Sequence, residues 1–135
     1  MFSLMDTLAQ KLREIPELDG WVVRLQTSDV DRKALPSIDI LFSGATVEGP
    51  RTSAQVAPTF ELVLAQKRGP TAGQDLDSAM ALVVRALHHH LPGVSGGRNW
   101  EPLSLSQVTP TPFADSGVVG VSLAFSTSAF FPGQS

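Results

Sequence analysis

The chain has 135 residues, a formal net charge of −3 and no cysteine. That length suits one domain able to bury roughly two-thirds of its unfolded surface, and the missing cysteine removes disulfides, thiolate metal sites and cysteine nucleophiles. The small acidic excess argues against a nucleic-acid reader, which carries a basic one, and no apolar run reaches the roughly 20 residues of a membrane span.

Leu4, Leu8, Leu12 and Ile15 recur at helical spacing and predict an amphipathic first helix over about 4–15. Ser3 is its expected N-cap, Asp6 its first-turn acid, and Pro16 its stop. Asp6, Lys11, Arg13 and Glu14 interrupt the segment, which separates it from a secretory leader with its uninterrupted apolar stretch. After a Leu-Asp-Gly turn, Trp21, Val23 and Leu25 alternate with Val22, Arg24 and Gln26 as in a strand. The polar stretch 27–36 leads to a second strand over 37–43, with Ile38, Ile40 and Phe42 on one face. Residues 44–58 are rich in Gly, Pro, Ser and Thr and read as a long loop or an extended hairpin tip around Glu48-Gly49-Pro50-Arg51. A third strand follows over 59–66, with Phe60, Leu62 and Leu64 on one face.

Leu76, Met80, Val83, Leu87 and Leu91 step by four, three, four and four and predict the second helix. Asp75 and Asp77 are expected near its first turn, His88, His89 and His90 in its last, and Pro92-Gly93 at its end. Residues 94–97 read as a connector, 103–108 as a weak fourth strand, and 118–129 as a strong fifth. In the fifth, Val119, Val121, Leu123 and Phe125 face one way and Gly120, Ser122, Ala124, Ser126 and Ser128 the other. The order α-β-β-β-α-β-β predicts an α+β domain spanning 1–135, with two amphipathic helices on one face of a mainly antiparallel sheet of about five strands and a long loop between strands two and three.

Two features point to contacts. The short, uncharged Ser122, Ala124, Ser126 and Ser128 row reads either as an ordinary solvated face or as a surface for another subunit, where small side chains cost little entropy on burial. The 44–58 stretch is either a floppy loop or an arm that docks on a neighbour through Val47, Glu48, Arg51 and Val56. Arg32, Lys33, Lys67 and Arg68 read as solvated charge, or as charge gathered at the rim or lumen of a ring. No catalytic, cofactor-binding or metal site is nominated. Consecutive helical histidines point about 100° apart and do not converge on one ion, and no nucleophile elbow, phosphate loop or dinucleotide fingerprint occurs.

The size, element order, long 44–58 segment and helix DLDSAMALVVRALHHHLPG, with LPSIDILFSG followed by PTFELVLAQKRG, resemble the tail terminator (tail completion) proteins of long-tailed bacteriophages, typified by lambda protein U and its Mu-like phage relatives. The resemblance covers nearly the whole chain. It implies a virion structural protein made in the host cytoplasm: a homohexameric ring that caps the tail tube, ends tube growth and offers the surface joined to the head-tail connector. DNA would pass through its lumen without being read, and neither enzyme activity nor a cofactor is implied. The alternatives are another head-tail connector or tube subunit, or a small-ligand-binding regulatory α+β domain.

Overall fold

A computed structural model describes residues 2–25, 35–49, 53–95, 97–111 and 117–132. Helix α1 (Phe2–Arg13) buries Leu4, Met5, Leu8, Ala9 and Leu12, the paired i, i+1 stripe expected of a helix lying on a sheet. It begins earlier than the stripe predicts, so Ser3 sits inside its first turn rather than capping it, and Asp6 falls beyond that turn. Pro16 opens a single 3-10 turn (Pro16–Leu18), where its fixed φ suits the first position and its missing donor costs nothing. Strands β1 (Val22–Leu25), β2 (Ser37–Glu48) and β3 (Ser53–Lys67) follow. Helix α2 (Ala72–Leu87) leads to β4 (Gly93–Ser95), β5 (Arg98–Trp100), β6 (Ser104–Pro110), β7 (Val118–Ser126) and β8 (Ala129–Pro132).

Six strands form one mixed sheet in the order β1-β2-β3-β7-β6, with β8 also paired to β3; β4 and β5 make a separate two-stranded ribbon. The class is α+β as expected, but the sheet is larger than five strands, and β1 runs parallel to β2 while the other pairs are antiparallel. Register lines up three apolar rows: Val23, Ile38, Leu64 and Val121; Leu25, Ile40, Leu62 and Leu123; and Phe42, Phe60 and Phe125. Both helices pack on these rows, with Ala79, Val83 and Leu87 of α2 joining Leu4, Leu8 and Leu12 in one core. Phe60 stands at its centre, its ring centroid 6.0 Å from that of Phe42, which in turn meets Phe2 edge-on at 5.9 Å.

The expected long loop between the second and third strands is largely sheet. β2 and β3 pair continuously from Ser37–Ala65 out to Glu48–Gln55, with one bulge between Phe42 and Gly44. Gly44 takes φ 135°, open to glycine and strained for other residues, so a residue type that reads as a loop marker serves to bend a strand. The fifth predicted strand is divided: β7 ends at Ser126, and Ala129–Pro132 leaves it to pair with the arm of β3. The expected connector at 94–97 overlaps β4 and leads into β5, whose Trp100 is buried, donates its indole N–H to the Ser95 carbonyl at 3.0 Å and meets Phe131 edge-on.

α2 stops at Leu87, a turn short of the predicted end, and Leu91 is exposed. The three histidines therefore follow the helix rather than forming its last turn. His89 adopts a left-handed φ of 64°, and the chain turns so that its N–H reaches the Leu103 carbonyl at 2.7 Å, while Leu103 donates to the His90 carbonyl at 2.8 Å. Only Asp75 of the two predicted acids lies in the first turn, where its carboxylate accepts a bond from the Thr71 hydroxyl. Among the described residues no helix is long and apolar enough to cross a membrane.

Candidate assembly surface

Alternation along the strands gives the sheet a second face, away from the helices. Register assembles it in rows: Val22, Ser37, Ala65 and Gly120; Arg24, Asp39, Val63 and Ser122; and Leu41, Glu61, Ala124 and Gln107. No described helix lies on it. The predicted Ser/Ala row is on this face, as the alternation of β7 requires, but it is not uniform: Ser122 is buried, its hydroxyl donating to Glu61 Oε1 at 2.6 Å, while Ala124, Ser126 and Ser128 are half-buried.

The strongest polar contact on this face has no local signature in the sequence. Arg24 is 3% exposed, and its guanidinium donates to Asp39 through Nε–Oδ1 at 2.6 Å and Nη2–Oδ2 at 3.0 Å. Such a two-point contact requires a planar donor fork opposite a carboxylate on the adjacent strand. The parallel pairing of β1 with β2 provides it by setting Arg24 directly beside Asp39. Each residue sits in a visible strand-like alternation, but only register shows that they meet.

A cleft of about 340 Å³ lies beside the outer part, or arm, of the β2–β3 pair, lined in part by Thr46, Glu48, Gln55, Glu101, Ser126 and Ser128. It brings together three predicted contact residues, Glu48, Ser126 and Ser128, and adds Glu101, which the sequence did not single out. Gln55 and Ser128 join across it through Nε2 and Oγ at 3.5 Å. Val47 is exposed on the arm, whereas its cross-strand partner Val56 is buried beside Ala129. Phe130 of β8 is 62% exposed opposite Gln55. Lys67 and Arg68 are exposed at the other end of β3, which at about 3.3 Å per residue puts them roughly 45 Å from the arm tip. Arg32, Lys33 and Arg51 lie outside the described residues.

The histidine turn joins α2 to the sheet margin. His88 Nδ1 accepts the Leu105 N–H at 3.0 Å, and its ring stacks on His89 with centroids 3.9 Å apart. His90 lines a shallow cavity with Asp6, Thr7, Gln10 and Lys11 of α1 and with Glu14 just beyond it. Burial, and secondarily the Lys11 ammonium, hold its pKa below the usual 6.5. The folded state then binds the proton less readily than the unfolded chain. This contribution is fully present above about pH 6.5 and is lost as the pH falls from there through the lowered folded value. Replacing His90 with Asn is expected to flatten the dependence of the urea midpoint between about pH 7.5 and about pH 5.5, by a modest amount since the ring is partly solvated. An unchanged slope would place the acid sensitivity elsewhere. Among the described residues no group of three or more His, Cys, Asp or Glu is arranged to hold a metal ion.

No family model matches the chain, and no curated protein matches it. Solved structures do. A second solved chain superposes with a TM-score of 0.56 over 98% of this chain and 94% of its own, at 15% identity. Another, described as part of the virion of a native gene transfer agent particle, superposes with a TM-score of 0.70 over 96% of both chains, at 16% identity. At these identities what is shared is the fold, carried over nearly the whole of both chains.

Proposed function

We propose that this protein is a virion structural component that works by assembly, and that its task is to close the tail tube as a six-membered ring, ending tube growth and presenting the surface that joins the head. The observation that carries this reading is the end-to-end match to a chain of a gene transfer agent virion. The match spans 96% of both chains, so the likeness is to the whole fold and not to one shared motif. The resemblance of the sequence to tail terminators points the same way. The surface fits: one sheet face free of described helices, the outer β2–β3 pair, and an exposed Phe130 beside it supply unlike patches for head-to-tail contact. In this reading Val47, Glu48, Arg51, Ala124, Ser126 and Ser128 lie toward the neighbouring subunit or the tube, whereas Val56 and Ser122, expected there from the sequence, are buried within the subunit and make no such contact. Arg32, Lys33, Lys67 and Arg68 belong to a rim or lumen through which DNA passes unread. No cofactor is needed.

Light scattering over a concentration series, with and without purified tail tubes, tests the proposal. The expected result is a species of about six chain masses that stops there, alone or at tube ends, with ring-shaped particles by electron microscopy. Open-ended polymers would instead indicate a tube subunit. A monomer that ignores tubes, or a dimer stabilised by a metabolite, would overturn the reading in favour of a ligand-binding domain.

A further inference from the structure

We infer that the edge of β2 beyond its bulge, from Gly44 to Glu48, is completed by β6 of a second copy of this chain, so that neighbouring subunits share one continuous sheet. The inference deepens the ring reading and rests on it, since it names the surface through which the ring would close.

β1 accompanies β2 only as far as the Leu25–Ile40 pair, and from Gly44 to Glu48 no described strand lies along that edge. At the opposite end of the sheet, β6 pairs only with β7 among the described strands. Both edges are nearly without charge. Residues 44–48 and 104–110 contain one charged residue, Glu48, and no lysine or arginine. A monomer usually guards open edges with charge, because unpaired N–H and C=O groups recruit other strands. The bulge between Leu105 and Gln107 and the His88 bond to the Leu105 N–H close only the start of β6. Pro110 lacks a donor but keeps its carbonyl.

Direction settles the pairing sense. β2 is antiparallel to β3, β3 to β7, and β7 to β6, so β2 and β6 run in opposite directions within one sheet. Copies set side by side with the same face outward therefore bring β6 of one antiparallel to β2 of the next. Repeating the step leaves one free edge of each kind at the two ends until rotation closes the ring.

Side chains choose a register. Val47 stands opposite Val56, whose other neighbour Ala129 belongs to the core, and Val108 stands opposite the core residue Leu123. Both exposed valines, 64% and 48% accessible, thus lie on the helix side of the sheet. Setting Val47 of one copy against Val108 of the next buries each on the other. The same register places Thr46 against Thr109 and Glu48 against Gln107 on the opposite face, pairing hydroxyl with hydroxyl and carboxylate with amide, both favourable cross-strand combinations. A shift by one residue would set each valine against the wrong face.

The chain has no cysteine, so thiols can be introduced without background. Val47→Cys with Val108→Cys in one chain, treated with oxidant and with a short bis-maleimide, is expected to give a ladder on a denaturing gel that ends at a closed species. Each single variant should remain almost uncrosslinked. Both sites are exposed, so neither change should disturb folding, and an unchanged melting temperature checks this. Val47→Lys should weaken assembly at least tenfold, and adding Val108→Glu should restore it. Rings that form normally but neither crosslink in the double variant nor respond to Val47→Lys would overturn the shared edge while leaving the ring reading intact. Efficient crosslinking of Val47→Cys alone would also overturn it, by showing a two-fold contact. No assembled species with or without tubes would defeat both proposals.

Discussion

Replacing Phe60 with Ala is expected to destabilise the domain by about 3–5 kcal/mol. Phe60 is fully buried and lies between Phe42 and Phe125 in the register of the sheet. Its ring is in tilted contact with Phe42, so truncation removes both transfer energy and an aromatic contact. The surrounding strands are held by hydrogen bonds on both sides and collapse poorly into the space, which puts the cost toward the upper end of the range. For a domain of this size the melting temperature should drop by roughly 10–20 °C, at about 3–4 °C per kcal/mol. A loss under about 1 kcal/mol by urea titration would mean that the core is not organised around this row.

The second large effect concerns the pair on the open face. Asp39→Ala leaves the Arg24 guanidinium nearly enclosed without its two-point partner and is expected to cost about 3 kcal/mol, within the range for breaking a buried ion pair. Removing both charges together, with Arg24→Met and Asp39→Leu, should recover part of that loss, because an apolar pair of similar volume avoids burying a charge that lacks its two-point carboxylate. The double-mutant cycle separates this account from a merely local packing defect: a coupling near zero would contradict it. The pair also supports the four-residue parallel contact of β1 with β2, alongside the burial of Val23 and Leu25 in the core rows. A variant that keeps its stability but shifts the β1 amide signals would show that the ion pair sets register and contributes little energy.

Much of the architecture was legible in the residues taken one segment at a time. The stripe of Leu4, Leu8 and Leu12 and the alternation of Ile38, Ile40, Leu62, Leu64, Leu123 and Phe125 report burial directly, because period alone decides which side chains share a face. The uncovered face followed from the same alternation: once one set of residues is assigned to the helices, the other set of β7 must point away. Local chemistry misled where a residue type had two uses. Gly44 and Pro58 read as loop formers, yet one bends β2 at a bulge and the other sits in β3 opposite Ala45. Leu91 continues the spacing of α2, but the left-handed turn at His89 ends the helix first.

By itself, then, the sequence determined the class, the core side of β1, β2, β3 and β7, both helices and the absence of cysteine chemistry, all of them properties of spacing and composition. Tertiary structure alone decided which strands are neighbours. Pairing brings Arg24 to Asp39, Ser122 to Glu61 and Ala129 to Val56 across separations of 15, 61 and 73 residues, and no local pattern encodes a partner so far along the chain. The same holds for the two edges beside which no other described strand lies, since an edge is defined only by the strand that fails to arrive beside it.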